Sequence, residues 1–249
     1  MELMLRRRLL GTEDGGRTVW HRREDQQLWE PDRTALLLCD VWDAHWCRGA
    51  VERLDGLLPR MEQTVQGARS KGVHIIHAPS DTMEFYLDSP ARQRALDVPR
   101  IEPPIPIEHV DPPLPIDASD EGSDTPGDTP QKAWNRQHPA IEIDEACDIV
   151  SDCGREIYSY LRHRDVEHLL IMGVHVNMCV LHRSFAIKQM VLWGVDVVLI
   201  RDLTDAMYNP ELPPYVSHEE GTRLVVEFIE KFWCPSVDSG ALINRVRSL

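Results

Sequence analysis

The chain has 249 residues, 42% of them hydrophobic, and a formal net charge of -14 at pH 7. That length and apolar share suit one sizeable core, and a single α/β domain of this size is ordinary. The acidic balance argues against nucleic-acid phosphates or anionic lipid as partners, since both need clustered Lys and Arg, and no stretch approaches the roughly 18–20 apolar residues of a membrane span.

The chain opens with MLRRRLL, where Arg6 to Arg8 read as part of a solvated N-terminal arm rather than a binding patch. GTEDGG follows at once in place of an apolar run, so this start is a poor secretory signal. The six cysteines (Cys39, Cys47, Cys147, Cys153, Cys179, Cys234) form no CxxC pair and no short-repeat framework. That pattern predicts free thiols and a reducing, cytoplasmic setting. Residues 1–33 are expected as an arm and 34–249 as one domain.

Four apolar runs of strand length come next: TALLLCD (34–40), GVHIIHAP (72–79), VEHLLIMGV (166–174) and VDVVLIRD (195–202). Near-continuous runs of this kind mark parallel strands covered on both faces. Helical patterns alternate with them at 51–72, 148–165, 180–194 and 223–233. The order predicts an α/β fold of three layers, a mainly parallel, doubly wound sheet flanked by helices. Residues 101–139 include PPIPIEHVDPPLPIDASDEGSDTPGDTP. Proline denies the ladder its donors and fixes φ, so this segment reads as an extended surface excursion, not a second domain.

Ligands of open parallel sheets sit beyond the carboxyl ends of the strands. That rule selects Asp40, then His77 and Asp81, then Cys179, then Arg201, Asp202 and Asp205. Cys179 lies in GVHVNMCV (173–180), directly after a strand and opening a helical pattern. Backbone N–H groups and a positive helix end at that position would lower the thiol pKa and favour the reactive thiolate. The same N–H groups would hold an oxyanion. A buried core thiol is the alternative.

Asp40 ends an apolar strand, so it must be solvated or paired, and it could take the thiol proton. A cysteine–carboxylate pair also needs a cation. Three of the four lysines, Lys71, Lys188 and Lys231, fall on helical patterns or their ends. Lys132 stands where the excursion re-enters the core and is the natural candidate, with Arg136 as its rival. Trp42, Trp46, Phe85 and Tyr86 suit pocket walls and lid packing equally. Asp43 and His45 read as loop residues contacting substrate; with Asp81 they form the alternative of a hard-cation or zinc cluster. His218, before the last helix, reads as a cap or a subunit contact.

TALLLCD ending in Asp40, GVHVNMCV carrying Cys179, and GVDVVLIRDLTDA together resemble the isochorismatase-like cysteine hydrolases, which include the nicotinamidases. The resemblance covers roughly residues 34 to 209. It implies a catalytic triad of Asp40, Lys132 and Cys179. It also implies a non-proline cis peptide at Val174, His175 or Val176 that turns an N–H into the oxyanion hole. The implied activity is nicotinamidase-like hydrolysis of a small-molecule amide (a C–N bond) through a thioester. His175 and Val176 would then lie at the oxyanion, and Trp42, Asp43 and His45 against the substrate. No cofactor is required on this reading, and the assembly is a homo-oligomer. The alternatives are a ligand-binding protein that kept the fold, or a vinyl-ether hydrolase of the isochorismatase type.

Three departures stand out. WNRQHPAIEI follows Lys132 where the family has Ser-x-Phe, and Val176 stands where threonine is usual. HAPSDTMEFY does not reproduce the Asp-x-His spacing that holds a divalent metal in nicotinamidases.

Overall fold

The structure, a computed structural model, describes residues 1–243. A hairpin of β1 (Glu2–Thr12) and β2 (Thr18–Leu28) leads into β3 (Thr34–Cys39), α1 (Arg48–Ser70), β4 (His74–Ala78) and α2 (Pro90–Leu96). After the excursion come β5 (Ile149–Val150), α3 (Gly154–His163) and β6 (His168–Val174). The chain closes with α4 (Cys179–His182), α5 (Ile187–Leu192), β7 (Asp196–Asp205), α6 (His218–Phe232) and β8 (Ser236–Val237). These strands form one sheet of order β2-β1-β8-β7-β6-β3-β4-β5. From β8 to β5 every neighbouring pair is parallel; only the hairpin and its contact with β8 are antiparallel.

The continuous apolar runs are explained by burial on both faces. Along β3, Ala35, Leu37 and Cys39 pack with residues of α3, α5 and α6, while Leu36 and Leu38 pack against α1. Neither face of this strand meets water, so no polar alternation appears in its sequence. The four expected strands and the layered architecture are those observed.

The N-terminal segment differs from the expected arm. Leu3 and Leu5 are buried on the α1 side of the sheet. On the other side Arg6 Nε bonds Glu230 Oε1 at 2.6 Å and Arg8 Nη2 bonds Glu227 Oε1 at 2.5 Å. Arg6 and Arg8 are neutralised by α6, and Arg7 between them is exposed. β2 escaped notice because most of its residues are exposed, so TVWHRREDQQL shows no apolar stripe. Residues 244–249, placed within the single domain from sequence, lie outside the described residues.

No helix or strand interrupts the chain between α2 and β5, as the proline content predicts. The excursion is nevertheless pinned. Asp128 Oδ2 accepts from Arg48 N–H at 2.7 Å and Thr125 Oγ1 from Gly49 N–H at 3.1 Å, which satisfies the open N-terminus of α1. Farther on, Gln137 pairs in an antiparallel bridge with Trp42. No helix among the described residues is long and apolar enough to cross a membrane.

The segment 180–194, read as one helix, is two. Arg183 takes an extended conformation (ψ 153°) and ends α4 after a single turn. The start of α3 presses on this joint. Gly154 N–H donates to Ser184 Oγ at 3.0 Å, and a Cβ on Gly154 would fall 1.9 Å from the Ser184 carbonyl oxygen.

Candidate active site

β3 and β6 are neighbours, and their carboxyl ends bring Asp40 and Cys179 together. Asp40 is 0% exposed and adopts φ 51°, which turns its carboxylate off the strand axis. Its Oδ1 accepts from Ser80 N–H at 2.8 Å and its Oδ2 from Arg183 Nε at 2.9 Å. The Cys179 thiol and this carboxylate each shift the other's pKa. Burial raises the Asp40 pKa, and Arg183, Cys179 and Ser80 restrain that rise.

The cation at the site is therefore Arg183, not Lys132 or Arg136. Lys132 Nζ donates to the Asp81 carbonyl at 2.6 Å on the exposed rim. Arg136 lies over the Phe85 ring and 3.9 Å from Asp43. No hydrogen bond or ion pair joins either to Asp40 or Cys179. Arg183 Nη2 also reaches Asp81 Oδ2 at 3.3 Å, so the rim and the buried pair share one guanidinium. Burial opposes its charge, but Asp40 and Cys179 outweigh burial and hold it above the ordinary arginine value. The sequence signal was present as CVLHR, an arginine one turn past Cys179. It was overlooked because the cation was expected from a lysine, or from Arg136, where the excursion re-enters the core.

The thiol also departs from expectation. Burial pushes Cys179 up to about 12; the Asp40 charge adds to this, and Arg183 and a hydrogen bond from His175 N–H oppose it. A single-turn α4 offers little macrodipole to set against that desolvation. Cys179 is held as a protonated thiol beside a carboxylate, not as a standing thiolate.

The peptide bond Val174–His175 is cis, at a position the resemblance implies. The His175 N–H favours the charged form of the Cys179 thiol, and the Cys179 N–H has no acceptor among the described residues. Val176 is fully buried, and its N–H is spent on the Asp205 carbonyl at 2.7 Å, so it is not an oxyanion donor.

Around this centre, Trp42 and Trp134 stack with centroids 4.0 Å apart and planes within 11°. The guanidinium of Arg183 lies 5.9 Å from the Trp42 centroid. His45 meets His175 edge to face at 5.0 Å. Burial pushes His45 down to about 4 and His175 to about 3, so both are neutral at physiological pH. Trp46 packs against His45 and the Met207 cluster. Tyr86 is buried, its hydroxyl accepting from Gln137 N–H, while Phe85 is 56% exposed.

Asp43, His45 and Asp81 do not make a cation cluster. Asp43 accepts from the backbone N–H groups of Asn135 and Arg136, His45 Nδ1 accepts from Cys47 N–H, and Asp81 pairs with Arg183. Among the described residues no three His, Cys, Asp or Glu are placed to hold a metal. The divalent ion of the nicotinamidases does not fit these side chains. His218, read as a cap or subunit contact, is buried instead, with Nε2 2.9 Å from Asp205 Oδ1. His77 is also interior, bonded to Gln137 and Asp148. All six cysteines are free.

These features define a three-layer α/β protein with a cysteine, an aspartate and a cation at adjoining strand ends. No family model matches the chain, and no curated protein matches it. Among solved structures, a cysteine hydrolase from Pseudomonas syringae pv. phaseolicola 1448A is similar at 18% identity and TM-score 0.51, covering 89% of this chain and 96% of that one. An isochorismatase from Pseudomonas putida KT2440 is similar at 14% identity and TM-score 0.52, covering 88% and 94%. The chain has the isochorismatase-like fold.

Proposed function

We propose that the protein is a cysteine-dependent hydrolase that cleaves the C–N bond of a small-molecule amide. The observation that carries this reading is the placement of Cys179 and Asp40 beyond the carboxyl ends of the neighbouring strands β6 and β3, with Arg183 holding the Asp40 carboxylate at 2.9 Å. Asp40 takes the thiol proton as sulfur attacks the substrate carbonyl carbon. The N–H groups of His175 and Cys179 receive the developing oxyanion. Asp40, now a carboxylic acid, returns the proton to the amide nitrogen as the C–N bond breaks and ammonia or an amine leaves. Water, deprotonated by Asp40, then attacks the thioester, and the acid is released with the thiol restored.

Arg183 neutralises Asp40 throughout but exchanges no proton, because a guanidinium keeps its charge. The arginine and the raised thiol also support the alternative, a ligand-binding protein of the same fold with little turnover. Ammonia release from a panel of aromatic and aliphatic primary amides separates the two. The expected result is turnover of at least one amide, an acyl adduct on Cys179 in the mass spectrum, and loss of both in Cys179→Ala. Full activity in Cys179→Ala excludes the mechanism, and an inert wild type across the panel favours the binder.

A further inference from the structure

The turn that delivers the nucleophile is not held by β6 alone. Three hydrogen bonds fasten it to the far end of β7 and the loop beyond. Val176 N–H donates to the Asp205 carbonyl at 2.7 Å. Asn177 Nδ2 donates to the Met207 carbonyl at 2.8 Å, and Asn177 Oδ1 accepts from Met207 N–H at 2.8 Å. Asn177 is 2% exposed, so this two-way clasp is sheltered from water and from competing partners.

The receiving side is itself braced. Asp205 accepts from His218 Nε2 at 2.9 Å and Arg53 Nε at 2.8 Å, and Ala206 N–H is bound by Thr222 Oγ1 at 3.2 Å. Met207 is 1% exposed and packs against Cys47, Ala50, Trp46 and Met178. Between the clasp and the sulfur stand only Met178 and the His175 carbonyl, which accepts from Met178 N–H at 3.0 Å and Val180 N–H at 3.2 Å. A shift of the Asn177 side chain thus moves the peptides whose N–H groups face the sulfur.

We infer that Asn177 is a positioning residue for the nucleophile: its amide clasp on Met207 holds the N–H groups of His175 and Cys179 in register around the Cys179 sulfur. The inference rests on the cysteine-hydrolase reading for its catalytic consequence. Asn177 touches neither the sulfur nor the substrate. Its chemistry is specific, because the clasp needs one donor and one acceptor on the same short fork, which only a primary amide at this length supplies at neutral pH. An ionised aspartate would accept from Met207 N–H but set a second oxygen against the Met207 carbonyl. A protonated aspartic acid would restore both bonds.

The test compares wild type, Asn177→Ala and Asn177→Asp as full-length chains. Two readouts are used across pH 6 to 8: kcat and KM on an amide from the active panel, and the rate of Cys179 carbamidomethylation by iodoacetamide, followed by peptide mass spectrometry. Asn177→Ala is expected to lower kcat by roughly 10–100-fold with KM within about twofold, as misplacing a reacting group does. Its Cys179 alkylation at pH 8 is expected to slow by about threefold or more, because the His175 N–H no longer favours the thiolate. Asn177→Asp is expected to show both losses at pH 8 and to recover toward wild type at pH 6.

A kcat and an alkylation rate unchanged in Asn177→Ala overturn the inference. So does an Asn177→Asp variant whose pH dependence parallels that of wild type. Should Asn177→Ala fail to fold, the pH profile of Asn177→Asp decides. Should no amide be turned over, the hydrolase reading fails by itself, and the alkylation rates still decide whether Asn177 positions the thiol's surroundings.

Discussion

Arg183 and an alanine in its place do opposite things to Asp40. The carboxylate is fully buried and has one cationic neighbour in hydrogen-bond contact. Removing that neighbour strands a buried charge, a change that costs about 3–5 kcal/mol. Arg183→Ala is therefore expected to lower the urea midpoint accordingly and to abolish turnover, because the stranded carboxyl becomes neutral and cannot accept a proton. Arg183→Lys keeps the charge but loses the fork to Asp81, so it should recover most of the stability. Equal midpoints for wild type and the alanine variant would show that Asp40 does not depend on the guanidinium. Asp40→Asn is the complementary case. The Asp40 charge is one of the causes that raise the Cys179 pKa, and Arg183 opposes it. Deleting the carboxylate leaves the thiol facing a guanidinium whose remaining partner is Asp81 on the rim. The pH midpoint of Cys179 alkylation is then expected to move down although amide hydrolysis is lost. A midpoint that stays put or rises argues against direct coupling of the two groups.

The break between α4 and α5 places Arg183, and it depends on a glycine in another element. Any Cβ at position 154 meets the Ser184 carbonyl at 1.9 Å, and a backbone atom cannot swing aside as a flexible side chain can. Gly154→Ala is expected to cost about 1–3 kcal/mol, the usual range for forced overpacking, and to lower kcat without any change among the site residues. A variant as stable and active as wild type would show that the joint adapts freely. This break also marks the limit of what the sequence could tell. The strand ends holding Asp40 and Cys179 were legible because burial on both faces leaves uninterrupted apolar runs. Arg183 was not, because nothing in VLHRSFAIKQMVLWG marks this arginine as the partner of a carboxylate on another strand, and the joint itself rests on contact with α3. The hairpin was lost for the converse reason: its β2 strand is mostly exposed, and its attachment to β8 is one residue pair, Arg6 with Ser236. What binds it is Glu230, buried and joined by Arg6 and by Ser236 Oγ at 2.5 Å, a contact between residues 224 apart in sequence.

Across the whole molecule, the enclosed site sets how the fold responds to acid. His45 and His175 are buried and neutral, with folded pKa values of about 4 and about 3 against an ordinary value of about 6.5. Between about pH 6.5 and about 4 the unfolded chain binds protons at these two positions and the folded protein does not. Stability therefore rises with pH through that window and is lost as pH falls through it. His74 and His182, also lowered by burial, add to that slope, and other groups act elsewhere. The depressed carboxyls of Asp148, at about 2, and of Asp205 stabilise above their unfolded values near 3.9 and are lost only below them. His218, raised because Asp205 outweighs burial, stabilises below about 6.5 and loses that contribution as pH climbs through its folded value. Asp40, raised by burial, opposes the histidines, favouring the fold at low pH and losing that advantage above its unfolded value. One opposing carboxyl does not cancel two imidazoles. The urea midpoint is expected to climb from pH 4.5 to 6.5 and then level off or fall slightly. His45→Gln with His175→Gln, which removes the two rings at the site, should make that climb shallower. A flat wild-type profile over this range, or a slope unchanged in the double variant, would show that the rings beside Cys179 are not held neutral by the fold.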